Sequence, residues 1–332
     1  MATQPRIVIL DGYTINPGDN SWQPVAAQGN CTVYDRTPPE LVVERAADAE
    51  IILTSKVKLD AKLLATLPRL RFISLLATGY NNLDVEYAGQ HGIAVANVPA
   101  YSTDSVAQTA FALLLELTTH AGLHDQAVKN GEWARSPDHS FWKTPIIELA
   151  GQTLGIVGFG AIGRAVARIG AAFGMQIIAY TPRPPAASEF PTVRFVTIDE
   201  LFSQADAVSL NCPQTTDNGG FVNAALLARM KPTAFLINVA RGGLVNEADL
   251  AAALKGGVLA GAGLDVVAVE PMLPDNPLLN APHCVITPHI AWASLAARQR
   301  LTAIVAANVA GYLAGKPINL VNSRWLNARD KE

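Results

Sequence analysis

The chain has 332 residues, half of them hydrophobic, which is enough for two domains with a core each. A formal charge of -3 leaves no basic footprint, and no apolar run approaches the ~20 residues of a membrane helix, so neither nucleic acid nor a membrane is an expected partner. Cys31, Cys212 and Cys284 lack any C-x-x-C spacing and fit buried thiols in a reducing compartment better than disulfides or a metal centre. The first residues lead into a four-residue apolar run, too short and poorly flanked for a signal peptide, so the expected location is cytoplasmic.

In chain order, short apolar runs at 7–10, 51–54, 72–76 and 93–96 alternate with amphipathic stretches near 40–47, 59–67 and 84–91. Continuous apolar strands separated by helices predict a parallel sheet covered on both faces, here without a glycine fingerprint. A long helix is predicted over about 103–120, with Ser102, Thr103 and Asp104 as caps and a capping box from Ser105 and Gln108. A polar stretch follows at 131–144, carrying Trp133, Phe141 and Trp142.

The run 154–164, Leu-Gly-Ile-Val-Gly-Phe-Gly-Ala-Ile-Gly-Arg, reads as strand, glycine turn and helix start. It is the dinucleotide fingerprint G-x-G-x-x-G in its required context. Gly158 makes the tight turn, Gly160 lets backbone approach a pyrophosphate, and Gly163 lets helix pack on strand. The helix over 161–173 then offers N–H groups and a positive dipole end to phosphate. Six strands are predicted, at 154–157, 176–180, 207–210, 234–238, 261–264 and 285–287, forming a doubly wound sheet. A second long helix, over about 293–313, ends at Gly315 and Pro317, and the tail is expected to return to the first domain.

Arg241, Glu270 and His289 each follow one of these strands, on the rim where open α/β sheets bind ligands. A guanidinium matches a carboxylate, an imidazole exchanges a proton with a hydroxyl–carbonyl pair, and a carboxylate beside it fixes its tautomer. Together they suit hydride transfer on a 2-oxo acid.

The fingerprint with "NVARGGLV", "GLDVVAVEP" and "TPHIAWAS" resembles the D-isomer-specific 2-hydroxyacid dehydrogenases along essentially the whole chain. "NVPAYSTDSVAQ" and "PHIAWAS" are similar to the glycerate dehydrogenase, or hydroxypyruvate and glyoxylate reductase, branch. The resemblance implies an α/β fold of two doubly wound parallel-sheet domains. A Rossmann NAD(P)-binding domain, 103–287, is inserted into a flavodoxin-like substrate domain, 1–102 with 288–332. It implies Arg241, Glu270 and His289 as the catalytic set, an active site in the interdomain cleft, and a homodimer. Cofactor contacts are implied at Gly158, Gly160, Ala161, Ile162, Gly163, Thr181, Arg183, Pro213, Val239, Ala240, Asp265 and His289. "LLATGYNNLD" looks like the family's substrate loop, with backbone N–H groups at Ala77, Thr78 and Gly79 for the substrate carboxylate. Arg241, Ser55 and the neighbouring Lys56 join it, and Trp142 resembles an aromatic that reaches the other subunit's site.

NAD-selective folds place an acid about 20 residues after the fingerprint to bind the ribose 2′-OH. Here Thr181 takes that place, no acid follows until Glu189, and Arg183 is free to pair with a 2′-phosphate. NADP(H) is therefore the expected cofactor, with NAD(H) usable. The expected reaction is reduction of hydroxypyruvate or glyoxylate to the D-2-hydroxy acid, and its reverse. The alternatives are another 2-oxo acid, or a nucleotide-sensing corepressor on the same fold, for which no disordered tail or basic module is present.

Overall fold

The computed structural model describes residues 4–186 and 189–326. The chain divides into two compact units, Met1–Ser102 with Ala293–Glu332, and Thr103–Trp292.

The first unit holds a parallel sheet of β1 (Arg6–Ile9), β2 (Asn30–Val33), β3 (Ile51–Thr54), β4 (Phe72–Leu75) and β5 (Ala94–Ala96), in the order β2-β1-β3-β4-β5. That is the flavodoxin-like order. Strands β3, β4 and β5 are buried along their whole length, as their unbroken apolar runs require. Strand β2, absent from the sequence reading, lies at the edge; Asn30 and Thr32 interrupt its apolar pattern because that edge is half-exposed.

Helix Leu295–Leu313 packs here, its Tyr312 ring stacked on Phe72 at 4.4 Å between centroids. After it, Leu320 pairs antiparallel with Ala96 and covers the β5 edge, and the buried Asn322 accepts the Val95 N–H at 3.0 Å. The N-terminal loop clamps the same helix. Both terminal nitrogens of Arg298 bond the Asp19 carboxylate, and Asn20 Nδ2 donates to Thr302 Oγ1 at 2.9 Å.

The second unit holds β6 (Thr153–Val157), β7 (Gln176–Tyr180), β8 (Val193–Phe195), β9 (Ala207–Leu210), β10 (Phe235–Asn238), β11 (Gly261–Leu264) and β12 (Cys284–Ile286). Their order is β12-β11-β10-β9-β6-β7-β8, all pairs parallel. Strand β8 goes beyond the six predicted; it is a short edge strand with the exposed Arg194 at its centre. One core cluster packs helices Thr103–Thr119 and Ala161–Ala172 on the sheet, and another packs Leu201, Phe202, Leu226, Leu250 and their neighbours. Helices on both faces make the sheet doubly wound.

Two local expectations change. Ser105 lies inside the first long helix and forms no cap, because its hydroxyl donates to the Ala291 carbonyl at 2.6 Å. The unit boundary falls at Trp292 and not at 287. The reason is Asp265, whose carboxylate accepts the N–H groups of Ile290 and Ala291 and ties residues 288–291 to this unit. Among the described residues no helix is long and apolar enough to cross a membrane.

Candidate active site

Register places the candidate residues on one rim. Val157 pairs with both Tyr180 and Leu210, Asn238 pairs with Leu210 and Leu264, and Leu264 pairs with Ile286. Parallel strands in this register end level, so the loops after β6, β7, β9, β10, β11 and β12 share the carboxyl edge of the sheet. The order reverses between β6 and β9, and that switch point is where such sheets bind ligands.

The glycine loop fits a dinucleotide. Gly158 has φ +92° and lies against the backbone of Asn211 and Cys212, so a side chain fits neither its conformation nor its space. A Cβ on Gly163 would run into the Gly158 carbonyl. Around Gly160 the space is open, and helix Ala161–Ala172 starts there without a side-chain cap, so its first N–H groups remain for an anion. Ala161 is exposed and Ile162 half-buried beside it. Thr181 is half-buried at the end of β7, and Arg183 is exposed with no acidic partner among the described residues. Pro213 follows β9, its carbonyl held by Asn218 Nδ2 at 2.9 Å. Val239 and Ala240 are buried after β10.

The charged loops are built by buried polar groups, of which Asn238 is not among the residues singled out from the sequence. Asn238, at the end of β10, accepts the Ala240 N–H at 3.0 Å and donates to the Arg241 carbonyl at 2.9 Å. It thereby sets the turn that presents the exposed Arg241, whose Nη1 rests on the Ala240 carbonyl at 2.7 Å. Gly242 follows, so close to the Val267–Ala268 backbone that no Cβ fits. The loop carrying Arg241 is thus pressed onto the loop carrying Glu270. A buried asparagine closing an apolar strand, and a glycine pair after the arginine, are the signals that would have marked both.

Asp265 lies almost fully buried at the end of β11. Its Oδ1 accepts from Thr287 Oγ1 at 2.7 Å and Ile290 N at 2.9 Å, its Oδ2 from Ala291 N at 2.9 Å, and its own carbonyl from His289 N at 2.8 Å. The sequence reading assigns Asp265 to the cofactor; the structure shows it building the His289 loop. That loop holds His289 at φ +55°, a conformation non-glycine residues adopt at a cost and keep where surroundings impose it.

His289 Nδ1 lies 2.6 Å from Glu270 Oε2, and Glu270 Oε1 accepts the Val267 N–H at 3.3 Å. An ionised carboxylate only accepts, so Nδ1 carries a hydrogen and Nε2 is the nitrogen left to exchange a proton. About a quarter of the His289 side chain and a third of that of Glu270 stay accessible.

The remaining candidates lie elsewhere. Ser55 and Lys56 follow β3, and Ala77, Thr78 and Gly79 follow β4, all at the carboxyl edge of the first unit's sheet. Ser55 is buried, Lys56 and Thr78 are not, and Thr78 Oγ1 donates to the Val98 carbonyl at 2.6 Å. Trp142 belongs to the stretch after helix Ala121–Lys129 and is 67% exposed.

Residues 111–291 match the family model for the D-isomer specific 2-hydroxyacid dehydrogenase NAD binding domain. The chain belongs to this family of oxidoreductases. It is 46% identical over 320 residues to a hydroxypyruvate reductase of Blautia hydrogenotrophica, covering 96% of this chain and 99% of the relative. It is 39% identical to a glycerate dehydrogenase of Methylorubrum extorquens, covering 87% and 91%. Among solved structures, the NADPH-dependent glyoxylate/hydroxypyruvate reductase of Sinorhizobium meliloti, in complex with NADP and malonate, superposes with a TM-score of 0.82 at 31% identity, covering 96% and 97%.

Proposed function

We propose that this dehydrogenase reduces hydroxypyruvate or glyoxylate to the D-2-hydroxy acid, and catalyses the reverse, with NADPH preferred over NADH. The observation that carries the chemistry is the Glu270–His289 pair at 2.6 Å, on the same sheet edge as the glycine loop. A bound nicotinamide cofactor supplies the hydride. The chain's own residues do the rest. Arg241 binds the substrate carboxylate and polarises the carbonyl through its fork of N–H donors. His289 gives the proton from Nε2 to the carbonyl oxygen. Glu270 stabilises the imidazolium and, with Asp265, keeps the ring oriented. Ala77, Thr78 and Gly79 offer backbone N–H groups to the carboxylate, with Ser55 and Lys56 beside them.

Gly158, Gly160, Ala161, Ile162 and Gly163 would hold the pyrophosphate of a bound dinucleotide, and Pro213, Val239 and Ala240 would contact the rest of it. The preference for NADPH rests on Thr181 in place of an acid and on the exposed Arg183, which has no acidic partner among the described residues. The NADP held by the Sinorhizobium meliloti structure supports it. A homodimer built on the 121–149 stretch is part of this reading. Leu123, Val128, Trp133, Trp142 and Ile146 stand exposed within that stretch and support it as the contact. Trp142 would then meet the other subunit's site. The free thiols at Cys31, Cys212 and Cys284 support a cytoplasmic location.

Steady-state kinetics on hydroxypyruvate, glyoxylate, pyruvate and bulkier 2-oxo acids, with both cofactors, test the reading. The highest kcat/KM is expected for hydroxypyruvate or glyoxylate with NADPH. A higher value with NADH, or for the bulky acids, overturns that part of the assignment.

A further inference from the structure

The first unit's sheet has its own switch point, between β1 and β3. Asp11 stands there, just past the end of β1, and its carboxylate faces the turn after β3. Ser55 N donates to Oδ1 at 2.8 Å and to Oδ2 at 3.1 Å, and Lys56 N donates to Oδ2 at 2.6 Å. The same turn is held from its other side. Asn82 Nδ2 donates to the Val57 carbonyl at 2.9 Å and reaches that of Ser55 at 3.4 Å. Val57 N donates to Thr54 Oγ1 at 3.2 Å. Asn82 lies in the stretch that continues from Ala77, Thr78 and Gly79.

We propose that Asp11 is a positioning residue for the substrate, fixing the Ser55–Lys56 turn and, through Asn82, the loop that binds the substrate carboxylate. This rests on the function proposed above and assigns a residue to its substrate side. Loops after β1, β3 and β4 are joined to one another by side chain to backbone hydrogen bonds, and Asp11 supplies the carboxylate in that chain of bonds. Bonds to an ionised carboxylate are the stronger kind, so the chain loosens most when this end is cut. The strands do not need Asp11. The β1–β3 ladder is complete from Ile7 with Ile51 to Ile9 with Leu53, and Leu10 N adds a bond to the Leu53 carbonyl. Losing the carboxylate therefore frees the turn without dismantling the sheet.

The test compares the full-length wild type with Asp11→Ala and Asp11→Asn. It measures substrate KM and kcat at saturating NADPH, the Kd for NADPH by fluorescence, and Tm. Asp11→Ala is expected to raise substrate KM about tenfold, with kcat and the NADPH Kd within about twofold of wild type. Asp11→Asn keeps one acceptor oxygen and is expected to raise KM about threefold, which decides the matter if the alanine variant does not fold. An unchanged substrate KM in a folded variant overturns the inference. So does a parallel rise in KM and NADPH Kd, which marks general loosening. A wild type with no turnover on any 2-oxo acid defeats the functional reading itself, a different result from turnover with an unmoved KM.

Discussion

Gly242 lies directly on the backbone of Val267, with no room for a methyl group between them. This contact seats the Arg241 loop on the Glu270 loop. Gly242→Ala is expected to lower stability by about 1–3 kcal/mol, the usual cost of overpacking, and to lower kcat/KM by at least about tenfold as Arg241 is displaced. Thermal melts and kinetics on one preparation check both. Wild-type activity in this variant would show that the two loops work independently.

If His289 is the proton donor proposed above, His289→Ala is expected to lower kcat by about 100-fold or more, leaving the NADPH Kd near wild type. Glu270→Gln keeps an acceptor for Nδ1 but removes the charge that stabilises the imidazolium, so its loss in kcat should be smaller. Single-turnover measurements of hydride transfer separate these effects from product release. A His289→Ala enzyme within a few-fold of wild type would exclude the assigned role.

Thr181→Asp places a carboxylate at the end of β7, where the proposed NADPH preference puts the 2′-phosphate. It is expected to lower kcat/KM with NADPH by about tenfold or more while sparing NADH. Arg183→Ala should weaken NADPH alone, by removing attraction without adding repulsion. If both variants leave the ratio of the two cofactors unchanged, the preference does not lie in this loop.

The hydrogen bonds from Arg298 hold the Asp19 carboxyl below its ordinary range. A carboxyl lowered in the folded state contributes stability that is complete above the unfolded value of about 3.9 and is lost as pH falls through the folded one. Asp19→Asn should therefore have a lower Tm than wild type at pH 7, and the gap should close as pH falls below about 4. Melts from pH 7 to pH 3 check the sign; a constant gap would remove ionisation from the explanation.

Burial pushes the Cys284 thiol up to about 12 and raises those of Cys212 and Cys31 as well. Thiolate is the reactive form, so the native protein should resist alkylation near pH 8 and react only on unfolding. Rapid labelling of Cys284 by iodoacetamide in the native state would contradict this.

What the sequence displayed was local. The apolar runs of β3, β4, β6, β9 and β10 are buried on both faces, and such strands announce themselves. The placing of Arg241, Glu270 and His289 after strands also followed from local pattern. The parts that escaped depend on strands lying side by side. Asn238 contacts its own turn, but its importance appears only once β10 is set against β11. Asp265 reads as one more acid until β12 brings Thr287, Ile290 and Ala291 to it. Asp11 gains a role only when β1 and β3, more than forty residues apart, become neighbours. Strands β2 and β8 escaped for a different reason: each sits at a sheet edge, where half-exposure dilutes the apolar signal.

The pairing of Leu320 with Ala96 bears on the order in which the protein matures. Residues emerge from the ribosome in sequence, and the first sheet is finished by Leu320 and Asn322, more than two hundred positions after the β5 strand they close. Thr103–Trp292 is continuous and can collapse as soon as it is out. The described residues ahead of it, although made earlier, keep the β5 edge bare and Phe72 without Tyr312 until Tyr312 and Leu320 are made. The unit that Thr103–Trp292 interrupts is thus completed after it, and during that interval its β5 edge stays open to wrong partners.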